Sequence, residues 1–166
     1  MDQPHRVIRE GVIAGIIGAT AVAVWFLIVD TISRRPFYTP AMLGNLVASV
    51  FDRQAHTGIG FFPVAGYTVL HYALFVLAGI IVTLIIHRAE REPTILALLL
   101  ILFVAFEVGF YGLVAVLSQF AAFGSLAWYQ VMVGNLLAAV LMGNYLWRTH
   151  PALTQQFARA LDGAEH

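Results

Sequence analysis

The chain has 166 residues, 60% of them hydrophobic and 11% charged, with a mean hydropathy of +0.83 and a formal net charge of zero. A soluble globular domain is closer to a quarter charged, so the apolar surplus requires lipid as its solvent, and the zero net charge argues against nucleic acid as a partner. The absence of cysteine excludes disulfides, thiol nucleophiles, thiolate metal sites, iron–sulfur clusters and covalent c-type haem attachment.

In chain order, the first predicted element is a transmembrane helix over about 11–33. Gly11–Val29 is uncharged and closes at Asp30. Arg6 and Arg9 precede it in the manner of a signal peptide. The apolar core is too long for one, however, and no small-residue cleavage pattern follows before Arg34 and Arg35, so an uncleaved signal anchor is expected. Asp30 and Arg34 stand four apart in the favourable orientation and predict an interfacial ion pair. Thr39-Pro40 then reads as an N-cap followed by proline at the first helical position. Met42, Leu43, Leu46, Val47, Val50 and Phe51 form a helical stripe, which predicts a short interfacial helix over about 40–52 on the outer side.

The second span is predicted over about 63–87, the third over about 94–119 and the fourth over about 124–148. Each is long enough, at ~1.5 Å per residue, for a ~30 Å hydrocarbon core. Glu107 interrupts the third. A central acid costs about +3 kcal/mol and strong apolar residues contribute about −0.3 to −0.6 each, so the sixteen Leu, Ile, Val and Phe residues of Ile95–Leu117 outweigh it. After Pro151, Leu153, Phe157 and Leu161 recur four apart and predict a C-terminal amphipathic surface helix over about 151–162. The expected fold is therefore all-α, one integral membrane four-helix bundle with two surface helices. Four spans put both termini on one side. That side carries Arg6, Arg9, Arg88, Arg91, Arg148 and Arg159 against Arg34, Arg35 and Arg53 on the other, which predicts cytoplasmic termini. His87, Arg88, Glu90, Arg91 and Glu92 read as an ordinary solvated turn between the second and third spans.

Counting inward from the outer ends places polar groups of all four helices in one intramembrane layer. Glu107 lies about 18 Å below Gln119, with Tyr111 one turn shallower, and Asn135 lies about 16 Å below Gly124. His71, Trp25 and Met132 fall near the level of Tyr111. Intramembrane polar residues face the bundle interior as a rule, so Glu107 is expected to hydrogen-bond His71, Tyr111 or Asn135. Three roles fit Glu107: a protonated donor that fixes helix register, a proton- or ion-coupled group, or a contact to lipid, quinone or pigment. His71 fits a carboxylate partner or a ligand to a bound cofactor, with Met132 beside it. Gly11, Gly15, Gly18, Ala21 and Ala23 on the first helix, and Gly134 and Ala138 on the fourth, permit close helix approach.

No paired membrane histidines for haem, no Glu-x-x-His pair, no glycine-rich phosphate loop and no Gly-x-Ser-x-Gly elbow is present. No metal site and no catalytic residue is predicted, and the cofactor is left open. The runs Trp25-Phe26-x-x-x-Asp30, Pro36-x-x-Thr39-Pro40-x-x-Leu43-Gly44, His71-x-x-x-Phe75 and Phe106-Glu107-x-x-Phe110 resemble small four-span bacterial integral membrane proteins. The resemblance covers about residues 10 to 148 and implies a bacterial inner-membrane location, with no activity attached to the group. The expected function is a non-catalytic accessory subunit of a larger membrane complex, respiratory or photosynthetic, with lipid and other membrane subunits or further copies of itself as partners. Two alternatives stand beside it: an oligomeric proton-coupled transporter or channel using Glu107, and a hydrophobic-cofactor protein using His71.

Overall fold

A computed structural model describes residues 4–51, 59–89, 101, 104–105, 108–109 and 128–150. Among these residues the structure is all-helical. Helix α1 runs Pro4–Ile32, α2 Tyr38–Phe51, α3 Phe61–Ala89 and α4 Trp128–Thr149. Ile101, Val104, Ala105, Val108 and Gly109 are helical positions of the third predicted span. The rest of that span, with Glu107 and Tyr111, lies outside the described residues, as do Asp52 and the predicted helix over 151–162.

Helices α1, α3 and α4 are each long and apolar enough to cross a membrane. Their outward faces carry uncovered large apolar side chains, among them Ile16 and Ile28 on α1, Leu74 and Leu77 on α3, and Leu136 and Val140 on α4. Such a belt is costly in water and costs nothing in lipid. Helix α1 starts seven residues before the apolar stretch at Gly11. Hydropathy marks where hydrocarbon begins, whereas the helix continues into water. Pro4 suits a first helical position, and Arg6 supports the extra turn by donating from Nε to Glu10 Oε1 at 2.9 Å.

Helix α1 is central and antiparallel to both α3 and α4. Along α3, Gly11 faces Ile80, Gly15 faces Val76, and Gly18 faces Phe75. A Cβ on Gly11 would stand 2.5 Å from Ile80 Cα, and one on Gly15 would stand 2.5 Å from Val76 Cα, so the two backbones touch. Gly79 completes the contact from the α3 side, against the backbone of Gly11 and Gly15. Lipid tails are as apolar as leucine, so close van der Waals packing of this kind is what holds membrane helices together. Along α4, Glu10 lies near His150, Gly18 against Met142 and Trp25 against Gly134. Helix α2 packs on α3, with Gly44 pressed on the backbone of Pro63.

The turn between α1 and α2 departs from the predicted ion pair. Helix α1 ends at Ile32, and Arg34 takes φ 57° while Arg35 N–H reaches Asp30 O at 2.8 Å and Arg34 N–H reaches Thr31 O at 3.0 Å. This is a Schellman ending with arginine in the left-handed position that glycine usually fills. The i,i+4 geometry requires helix through position 34, so the Asp30–Arg34 pair does not form among the described contacts. Asp30 instead accepts from Thr39 N–H at 2.8 Å and from Thr39 Oγ1 at 2.7 Å, with Asp30 and Thr39 both buried. Thr39 is thus not the N-cap acceptor. It sits inside the first turn of α2 as a donor, and the Asp30 carboxylate caps that helix from outside, where the helix dipole favours negative charge.

Candidate functional site

Two groups of polar residues lie within the bundle. The first contains the described members of the predicted intramembrane layer. His71 Nε2 stands 3.1 Å from the carbonyl oxygen of Ala19 on α1. A carbonyl can only accept, so Nε2 carries the proton and donates across the helix interface. The ring stacks on Tyr67, with centroids 5.7 Å apart, and tilts against Phe75 at 4.7 Å. Trp25 Nε1 donates to Gln130 O on α4 at 2.7 Å, and Thr20 Oγ1 meets Tyr72 OH at 3.0 Å.

These residues do not share one level. His71 is fixed at Ala19, whereas Trp25 meets Gln130 and Gly134 of α4 farther toward the C-terminal end of α1. Six residues at ~1.5 Å separate the two positions, about 9 Å along the axis. Counting inward from each helix end assumes that all helices start at the same height. The glycine contact between α1 and α3 sets the actual register. Asn135 is half-buried, and Met132 is exposed on the outer face of α4. Trp25→Phe keeps most of the packing and removes the indole N–H, leaving a part-buried carbonyl with one partner fewer. We expect it to lower stability in detergent by about 1–2 kcal/mol, read from denaturation midpoints.

The second group lies at the opposite end, where α1 begins and α3 and α4 finish. Glu10 of α1, His87 of α3 and His150, the residue after α4, converge there. Glu10 Oε2 is 3.5 Å from His150 Nε2 and 3.8 Å from His87 Nε2, and the two rings meet edge-to-face with centroids 4.5 Å apart. Comparison with family models, with curated proteins and with solved structures gives no match. The site therefore rests on its own geometry.

That geometry is enclosed. Side-chain exposure is 11% for Glu10, 14% for His87 and 3% for His150. Ala14 and Leu146, one turn deeper, and Ile86 beside His87 form the buried apolar cluster of the bundle, so the group is sealed on its membrane side. His87 Nδ1 lies 3.0 Å from Thr83 O. As with His71, the carbonyl must accept, which fixes the proton on Nδ1 and leaves Nε2 of the neutral ring with a lone pair toward Glu10. Glu10 Oε1 is held by Arg6, while Oε2 is buried and accepts no hydrogen bond from a described residue. His87 is consequently an interior residue and not part of the solvated turn predicted for it.

Sequence reasoning missed this group because it counted depth from the outer ends and treated the inner ends as wet. The signal was present. Glu10 immediately precedes the first apolar span, His87 follows Ile86 at the end of the second, and His150 follows the last turn of α4. Counting from the inner ends puts all three in one plane.

Proposed function

We propose that the chain is a small four-span protein of the bacterial inner membrane that acts as a non-catalytic accessory subunit, packing against other membrane subunits or further copies of itself. The observation that carries this reading is how the intramembrane polar side chains are used. His71 bonds Ala19 O, Trp25 bonds Gln130 O, and Thr20 meets Tyr72, each joining one helix to another. Groups so engaged fix register and orientation, which suits a packing subunit better than a translocation path. His71 has also committed Nε2 to a carbonyl, which speaks against an axial-ligand role for that nitrogen.

A fourth crossing is part of this reading, and it is supported by α3 finishing beside Glu10 while α4 starts beside Trp25, toward the other end of α1. The arginine distribution then favours cytoplasmic termini. The outward apolar belt offers the docking surface, toward lipid where no partner covers it.

Extraction from native membranes in a mild detergent, followed by native electrophoresis and mass spectrometry, tests the reading. A stoichiometric assembly containing this chain and other subunits, or several copies of it, is expected. A monodisperse single chain with no companion contradicts it.

A further inference from the structure

We propose that Glu10, His87 and His150 form a binding site for one divalent first-row transition-metal ion of the zinc class, at the membrane–water boundary of the bundle. The three side chains supply two imidazole nitrogens and one carboxylate oxygen, and their donor atoms lie within 4.8 Å of one another. A tetrahedral ion with ligands at about 2.0–2.1 Å holds its donors about 3.3 Å apart. The observed 3.5 and 3.8 Å separations from Glu10 Oε2 need only small side-chain rotations to close on such an ion.

Three features point to a cation at this position, the third built on the same two side chains as the first two. Glu10 Oε2 is buried and accepts no hydrogen bond from a described residue, whereas the buried Asp30 carboxylate accepts two. A buried carboxylate oxygen left in this way is costly, and a cation removes the cost. The tautomer of His87 is the second feature. Its Nδ1–H is held by Thr83 O, so in the neutral ring the Nε2 lone pair faces a carboxylate lone pair, two acceptors that need a metal ion or a proton between them. The third is the outer support. Metal-bound histidine characteristically donates its other N–H to a backbone carbonyl or carboxylate, and a ligating carboxylate is itself hydrogen-bonded. Thr83 O and Arg6 Nε fill those places. The Arg6 side chain is 69% exposed, so solvent screens its charge from the site.

The donor set selects the metal. Imidazole suits zinc, copper, iron and nickel, while magnesium and calcium prefer all-oxygen sites. Three protein ligands leave a coordination position for water or another small ligand. The proposal goes beyond the accessory-subunit reading and stands or falls separately from it.

The full-length protein in mild detergent, stripped with a chelator, is titrated with Co2+ and with Zn2+. One Co2+ per chain with visible d–d absorption is expected, displaced by Zn2+ and unaffected by Mg2+. Thermal denaturation of the wild type should shift upward with Zn2+. Glu10→Gln and His150→Ala should each weaken binding by about 100-fold or more, beyond the roughly 10–100-fold that an outer-shell change costs, and should abolish the thermal shift. The wild-type spectrum and melting shift do not depend on whether the variants fold. A folded wild type that binds no Co2+ or Zn2+ stoichiometrically overturns the proposal, as do folded variants that bind as tightly as wild type. A proton shared by the cluster in place of a metal would give the first of these results.

Discussion

Gly79→Val is expected to be among the most damaging single substitutions in the described part of the chain. A Cβ at position 79 would stand 2.6 Å from Gly15 N and 2.9 Å from Gly15 Cα. These are backbone atoms of a rigid helix, so no side chain can rotate away and the helices must separate. Separation lengthens the His71–Ala19 bond and loosens the whole α1–α3 contact, so both packing and a cross-helix hydrogen bond are lost together. Overpacking in a tight interior costs about 1–3 kcal/mol, and the added methyls of valine put the expected loss at the upper end, about 3 kcal/mol. Reversible denaturation in mixed detergent micelles reads this directly. Gly143→Val on α4 is the matched control, because a Cβ there meets nothing within 4 Å, and it should stay within about 0.5 kcal/mol of wild type. Equal effects at the two positions would show that the α1–α3 contact is not a determinant of stability.

The second large effect is expected from Asp30→Ala. The substitution leaves Thr39 N–H and Thr39 Oγ1 without their acceptor in a buried turn, and it removes the negative charge at the start of α2. Each stranded buried donor costs about 1–3 kcal/mol, so a total near 3 kcal/mol is expected. Thr39→Val removes only the hydroxyl bond and should cost about half as much. Arg34→Ala should be nearly silent, because Arg34 forms the turn through its backbone and its side chain is exposed. If Arg34→Ala instead matches Asp30→Ala, the ion pair and not the Thr39 cap holds this turn.

The membrane character was legible because composition alone decides it: three described helices cannot keep their apolar faces in water. The tight approach of α1 was legible too, since Gly11, Gly15 and Gly18 recur on one side of a span. What sequence could not supply was register. Hydropathy marks the ends of an apolar stretch to within a turn or two, whereas helix heights follow from where backbone meets backbone. That error placed Trp25 level with His71. It also hid the group formed by Glu10, His87 and His150, which are far apart in the chain and become neighbours only once α1 is antiparallel to both α3 and α4. The Asp30–Arg34 pair failed for a local reason: spacing implied a helix through position 34, and the chain turns at Ile32.

If α1, α3 and α4 cross one membrane, Glu10, His87 and His150 gather at a single face of it. Because the chain has no cysteine, single introduced cysteines report sidedness without background. His5→Cys, Ala89→Cys and Thr149→Cys lie at the Glu10 end, and Arg35→Cys and Gly60→Cys at the other. In right-side-out bacterial spheroplasts treated with a membrane-impermeant maleimide, Arg35→Cys and Gly60→Cys should label while the membrane is intact, and the other three only after permeabilisation. Labelling of Ala89→Cys and Thr149→Cys from opposite sides of the membrane would contradict the account.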